Sequence, residues 1–140
     1  MHWAMEYRPE QRVVWVRTEG RTTTEDVARL EAECARTARE HGARGYLFDH
    51  RALETFLSDI DIYDGPSRLE KVEASRAMLA AILIRDEKPM LEAFAFLADV
   101  MNNRGFVVRL FTDELRAFDW LEKEGRPSPA SVPLAPRGTR

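Results

Sequence analysis

The spacing of apolar residues divides this chain into short strands that alternate with helices. Near the start, two segments rich in aromatic and β-branched residues flank a Pro-containing turn, which predicts a hairpin over 3–7 and 12–18. Three later apolar runs, at 45–51, 77–84 and 106–111, have the length of buried strands. Between these runs the apolar residues recur at helical spacing, so the pattern predicts strands and helices in alternation.

Capping residues mark where the predicted helices begin and end. Thr23, followed by Asp26 three positions later, predicts the start of the first helix, and Gly42 predicts its end. The other boundaries follow the same rules. Ser58 with Asp61 predicts the start of a short helical piece, and Pro66 lies in the first turn of a second piece that runs to about residue 75. Pro89 predicts the start of a helix that runs to Asn102, and Thr112 predicts the start of the last helix.

The predicted order of elements is ββαβαβαβα, which indicates the α/β class. Strands that alternate with helices imply right-handed crossovers, so we expect one domain with a mainly parallel five-stranded sheet, an antiparallel N-terminal hairpin and helices packed on the sheet. This domain is predicted to span residues 1–125. The remainder, 126–140, holds four of the seven prolines and three arginines without an acid, a composition that predicts a disordered tail.

Composition narrows the possible functions. A formal net charge of −3 argues against a nucleic-acid-binding domain, which is usually strongly basic. The single cysteine, Cys34, excludes a disulfide framework within the chain, and its place on the same helical stripe as Leu30 and Ala38 predicts that it is buried. No apolar run has the length of a membrane span and no secretory signal is recognised, so we expect a cytoplasmic protein.

The polar cluster Asp49, His50 and Arg51 lies at the carboxyl end of a predicted central strand, where open α/β sheets usually bind ligands. Adjacent strand residues point to opposite faces, and the spacing places no nucleophile beside the cluster. We therefore predict that these residues bind a ligand or partner and that none is catalytic. A hydrolase or isomerase that uses Asp49 and His50 is the weaker alternative. Asp49 is expected to pair with an arginine, either Arg51 or Arg109.

Metal and cofactor sites are not predicted. The histidines at 2, 41 and 50 lack the spacing and the carboxylate partners of a metal site. Neither Gly42 with Gly45 nor Gly65 with Pro66 has the pattern of a phosphate-binding loop or its following lysine. The sequence thus predicts no cofactor.

The predicted helix at 89–102 carries two apolar stripes. One stripe suits packing against the sheet, and the second consists of Ala93, Phe96 and Val100. Soluble monomers seldom expose such a patch, so we predict that these three residues form the interface of a homodimer. The alternative is that another element of the chain, or a ligand, covers them.

Together with the opening hairpin, three stretches resemble one family. They are Gly-x-Thr-Thr-Thr-Glu-Asp at 20–26, Leu-Phe-Asp-x-Arg at 47–51 and, near the end, Asn-Arg-Gly-Phe followed by Phe-Thr-Asp-Glu and Ala-Phe-Asp-Trp-Leu. Over roughly 3–123 the chain resembles bacterial SpoIIAA-like proteins of the STAS fold, the fold of anti-sigma-factor antagonists. The resemblance implies a regulator without enzymatic activity.

The resemblance also implies a role for one serine. In anti-sigma-factor antagonists, a serine at the start of the helix after the third strand is phosphorylated by a partner kinase, and Ser58 is the nearest match by position. The family's Asp-Ser-Ser-Gly signature is absent here, and Asp59 and Asp61 would repel a phosphate. A plain helix-capping role for Ser58 is therefore favoured over phosphorylation.

We expect a non-enzymatic STAS-like module that acts by binding, as a homodimer, in regulation or ligand sensing. Its partner would be a regulatory protein or a sensed ligand. The alternative, implied by related lipid-binding folds, is a carrier that encloses a small apolar, lipid-like molecule.

Overall fold

Five strands and five helices make up residues 1–124, the part of the chain that the structure, a computed structural model, describes. None of these helices is long and apolar enough to cross a membrane. The predicted tail at 126–140 lies outside the described residues. In chain order the elements are β1 (His2–Arg8), β2 (Val13–Gly20), α1 (Thr24–His41), β3 (Gly45–Leu53), α2 (Asp59–Tyr63), α3 (Gly65–Lys71), β4 (Leu79–Leu83), α4 (Lys88–Asn103), β5 (Val107–Phe111) and α5 (Glu114–Glu124).

The strands form one sheet in the order β1-β2-β3-β4-β5. β1 and β2 pair antiparallel, and every later pair is parallel. This confirms the predicted α/β class, the mainly parallel five-stranded sheet and the antiparallel N-terminal hairpin. β3, which carries the predicted polar cluster, lies at the centre of the sheet.

Local capping explains several helix ends. The Thr23 hydroxyl accepts a hydrogen bond from the backbone N–H of Asp26 at 3.1 Å, and Gly42 ends α1 with a φ of 63°, a left-handed conformation that favours glycine. The prediction that Thr112 caps the last helix is wrong. Asp113 takes this role, because its carboxylate accepts a bond from the backbone N–H two residues later at 2.9 Å, and aspartate is among the preferred capping residues.

The two faces of the sheet carry different cores, because alternate strand residues point to opposite sides. One face packs against α5 and is called the α5 face. The other packs against α1 and α4 and is called the cavity face. Buried on the α5 face are Val13, Trp15, Leu47, Ala81, Leu83, Ala117 and Leu121. Buried on the cavity face are Val14, Val16, Leu30, Cys34, Ile82, Met90 and Phe94.

Cys34 packs on the cavity face with 4% of its surface exposed. This confirms the prediction that it is buried as a small hydrophobic residue. Burial raises the pKa of its thiol, and the nearby carboxylates of Glu33 and Glu31 act in the same direction. The thiol is therefore protonated and unreactive at neutral pH.

Candidate ligand-binding cavity

A cavity of about 180 Å³ lies on the cavity face, between α1, α4 and the middle of the sheet. Residues 56–71, which include α2 and α3, partly cover it and are called the cover. The walls consist mostly of apolar side chains, the usual lining of a small-molecule site. Prominent among them are Leu30, Tyr46, Phe48, Ala80, Phe94 and Leu97.

Chain topology explains why this space exists. α1 packs over β2, and α4 packs over β4 and β5, so β3 lies beneath the space between the two helices. Tyr46, Phe48 and His50 alternate along β3 and point into that space. Their rings form a row, with centroids 5.1 Å apart for the first pair and 5.5 Å apart for the second. Phe94 of α4 continues the row 5.4 Å from His50, which gives the cavity an aromatic wall.

The cover is attached to both helices that flank the cavity. Arg68 of α3 pairs with Glu31 of α1, with Nε–Oε1 at 2.9 Å and Nη2–Oε2 at 3.3 Å, and it donates a third bond to the Asp61 carbonyl oxygen at 2.6 Å. Burial raises the pKa of Glu31, and the bonds from Arg68 offset this only in part. On the α4 side, a Cβ added to Gly65 would clash with Cε of Met101, so the cover approaches α4 closely.

His50 brings a polar ring into the aromatic row. A β-bulge shifts the register of β2 against β3 after the pair Arg17 and Asp49, and a bulge re-aims side chains. Beside it, the hydroxyl of buried Thr18 lies 2.7 Å from Nδ1 of His50 and 3.3 Å from the carbonyl oxygen of Asp49. Burial lowers the pKa of His50 to about 4, although the negative charge of Asp49 acts in the opposite direction. The imidazole is therefore neutral at pH 7.

Asp49 and Arg51 lie together on the α5 face and do not line the cavity. The Arg51 guanidinium donates to both carboxylate oxygens of Asp49, at 2.9 and 2.8 Å, and its backbone N–H donates at 3.2 Å. Partial burial would raise the pKa of Asp49, but the bonds from Arg51 outweigh it and hold this pKa below its ordinary value. The predicted pairing with Arg51 is confirmed. The predicted cluster is split, however, because His50 lies on the other face.

Ser58 belongs to the cover and caps α2. Its hydroxyl accepts a bond from the backbone N–H of Asp61 at 3.3 Å and donates to the Asp61 carboxylate at 3.1 Å. The capping role is thus confirmed. A phosphate on Ser58 would meet that carboxylate as a like charge, and phosphorylation of Ser58 stays a prediction.

Of the three residues of α4 that were predicted to form a dimer interface, two are partly covered by other parts of the same chain. Phe94 and Met101 are buried towards the sheet, as expected. Ala93 borders the cavity and Val100 is partly buried, whereas Phe96 is 37% exposed. The homodimer interface stays a prediction, with Phe96 as its most accessible apolar residue.

The arrangement suits binding better than acid–base chemistry. Asp49 and His50 point to opposite faces of the sheet, so they do not converge on one substrate. Within residues 1–124, no three His, Cys, Asp or Glu side chains are grouped so that they could hold a metal ion. Apolar walls with a few polar groups are instead typical of a binding site for a small molecule.

Three polar residues that shape the site, Thr18, Glu31 and Arg68, have no signal in the sequence. Thr18 meets its partner 32 positions away, and Glu31 meets Arg68 37 positions away. The available signal was the alternation of aromatic residues along β3, which places their rings on one face.

No family model and no curated protein matches the chain. Among solved structures, it is similar to an uncharacterised DUF3478-family protein with a SpoIIAA-like fold from Shewanella loihica PV-4, with a TM-score of 0.56 and 21% identity over 85% of this chain and 93% of that chain. It is also similar to the anti-sigma factor antagonist SpoIIAA in its unphosphorylated form, with a TM-score of 0.52 and 17% identity over 84% and 96% of the two chains. The chain thus has a SpoIIAA-like fold.

Proposed function

We propose that this chain is a non-enzymatic, cytoplasmic ligand-sensing module that binds a small, mostly apolar molecule in the cavity. The cavity of about 180 Å³ beneath the cover is the observation that carries this proposal. For scale, a dry apolar cavity of roughly 150 Å³ binds benzene. A molecule with one ring or a short chain therefore fits.

The energetic cost of such a space favours a bound ligand. The apolar side chains that line the space lack part of the contacts that a filled core would give them. A ligand that fills the space would restore part of the lost contacts.

The cover is the segment that would report the ligand to a partner. It contacts α1 through the pair of Arg68 and Glu31, and it exposes two large apolar side chains, Ile60 at 70% and Tyr63 at 64%. Because a ligand in the cavity touches the underside of the cover, it would change the surface that a regulatory protein contacts. A regulatory role is in keeping with the similarity to SpoIIAA, an anti-sigma factor antagonist.

Self-association is a second part of the proposal. Phe96 on α4 and Val107 on the edge strand β5 are each 37% exposed. A two-fold interface is the commonest way in which proteins cover such side chains. We propose that Phe96, with Ala93 and Val100 beside it, lies at the centre of a homodimer interface.

Toluene tests the binding function, because it is apolar and small enough for the cavity. A ligand that binds only the folded chain raises Tm. We expect toluene to raise the Tm of the wild type and of Ala4→Phe, which adds a ring at an exposed position of β1. Ala80→Phe fills the cavity from β4 and should abolish the effect. A wild-type Tm that does not move at saturating toluene contradicts the proposal.

A further inference from the structure

We propose that the natural ligand is a neutral, mostly apolar molecule with one hydroxyl or N–H group, which donates a hydrogen bond to Nε2 of His50. This rests on the proposed function and names the chemistry of the molecule that the cavity binds. Phenols and indoles are of this class and size. The basis is an imidazole that borders the apolar cavity and has a partner at Nδ1.

The contacts of Thr18 select the tautomer of His50. The Thr18 hydroxyl has one proton and two neighbours, Nδ1 of His50 at 2.7 Å and the carbonyl oxygen of Asp49 at 3.3 Å. Both contacts are hydrogen bonds if the hydroxyl donates to the carbonyl oxygen and Nδ1–H donates to the hydroxyl oxygen. Nε2 then has no proton and is an acceptor.

Within residues 1–124, Nε2 of His50 has no hydrogen-bond partner. It is not among the enclosed side-chain atoms that lack one, so it is accessible from the cavity. The ring stacks on Phe48 and lies 5.4 Å from Phe94, so the protein surrounds it with apolar groups. A ligand that displaces water from the cavity would leave this acceptor unpaired unless the ligand brings a donor. A hydroxyl or N–H on the ligand would satisfy it, and the rest of the ligand would contact the apolar walls.

The charges around the cavity favour a neutral ligand. Arg68 lines the cavity, but its guanidinium is engaged by Glu31 and by the Asp61 carbonyl oxygen, so it does not offer a free positive charge to a carboxylate. A cationic ligand would lose its hydration without gaining a carboxylate, because Glu31 is already paired. A neutral donor avoids both costs.

Phenol and toluene test this inference, because they have nearly the same shape and differ by one hydroxyl group. Titration calorimetry measures the dissociation constants of both for the wild type and for His50→Phe. The variant keeps an aromatic ring beside Phe48 and Phe94, and Thr18 keeps the carbonyl oxygen of Asp49 as a partner. Comparing the ratio of the two dissociation constants between the wild type and the variant cancels the greater hydrophobicity of toluene. We expect the substitution to weaken the binding of phenol, relative to that of toluene, by about tenfold or more.

Nitrogen-15 NMR of the wild-type imidazole gives a second readout that does not depend on the variant folding. We expect a protonated Nδ1 and an unprotonated Nε2 for His50, and a shift of the Nε2 resonance with phenol but not with toluene. Suppose that toluene binds, that phenol does not shift the Nε2 resonance, and that His50→Phe leaves the ratio of the phenol and toluene dissociation constants unchanged. The inference is then wrong and the proposed function stands. If neither compound binds, both are wrong.

Discussion

The two faces of the sheet share the same strands but differ in how closely they are packed. On the α5 face, Ala117 and Leu121 pack onto Leu47 and Leu83, and each of the four is at most 1% exposed. On the cavity face, α1 and α4 stand apart above β3 and leave about 180 Å³ between them. The α5 face is therefore closely packed beneath α5, whereas the cavity face gives up packing between α1 and α4 for a space that a ligand can fill.

Adjacent residues of β3 show the same contrast. Asp49 points to the α5 face, where Arg51 satisfies both of its carboxylate oxygens. His50 points to the cavity, where Thr18 engages only one of its ring nitrogens. Neighbours in sequence thus belong to two different environments, one saturated by the protein and one open to a ligand.

Truncation of one leucine on each face should give the largest difference in the free energy of unfolding between the two faces. Leu121→Ala removes a fully buried side chain of the α5 face, so we expect it to lower the free energy of unfolding by about 4 kcal/mol. Leu97→Ala should cost about 1 to 2 kcal/mol, because Leu97 borders the cavity and is only partly buried. Urea unfolding measures both. Equal costs would show that the two faces are packed alike.

Acid should destabilise the cavity face through His50. The unfolded chain takes up this proton near pH 6.5 and the folded chain near pH 4, so stability is lost as pH falls between these values, by roughly 3 kcal/mol. His50→Phe has no imidazole at this position, so it should not lose this stability. Glu31, whose pKa is raised, titrates in both proteins, so the difference between their urea-unfolding curves from pH 7 to pH 4 isolates His50. The same pH dependence in both proteins would contradict a neutral imidazole at His50 in the folded chain.

The proposed dimer would cover the outer side of α4. Phe96→Glu places like charges across a two-fold interface and should weaken the dimer at least tenfold, or about 1.4 kcal/mol. Ala95→Glu adds the same charge on the exposed side of α4, outside the stripe, and should leave the dimer intact. Sedimentation of the three proteins tests this. A wild type that is monomeric at high concentration would refute the interface.

Removing the charge of Asp49 should have the smallest effect. Asp49→Asn weakens a partly exposed ion pair, which is worth below about 1 kcal/mol. Toluene affinity should stay unchanged, because the carboxylate lies on the face opposite the cavity. A large loss of toluene binding would show that the two faces are coupled. A loss of binding to a protein partner alone would support the predicted role of Asp49 and Arg51.

Local signals made the fold predictable. The apolar runs of β3, β4 and β5 and the caps at Thr23 and Gly42 depend on residues close together in the chain. The error at the last helix is equally local, because Thr112 and Asp113 are both good capping residues and the sequence does not decide between them.

Much of the site was not predictable, because it depends on distant contacts. The bulge that accompanies the contact of Thr18 with His50 arises from the register of two strands. The pair of Glu31 and Arg68 depends on how α3 docks on α1. The cavity itself follows from the spacing of α1 and α4 above β3, which the hydrophobic pattern of each helix does not specify.

A crystal structure of the protein grown with toluene tests the central claim most directly. We predict one toluene molecule between α1 and α4, against Phe48 and Phe94, with the cover in place above it. Ala80→Phe, crystallised in the same way, should show its own ring in that space. A cavity closed by inward movement of its walls, or toluene bound elsewhere with the cavity empty, would contradict the account.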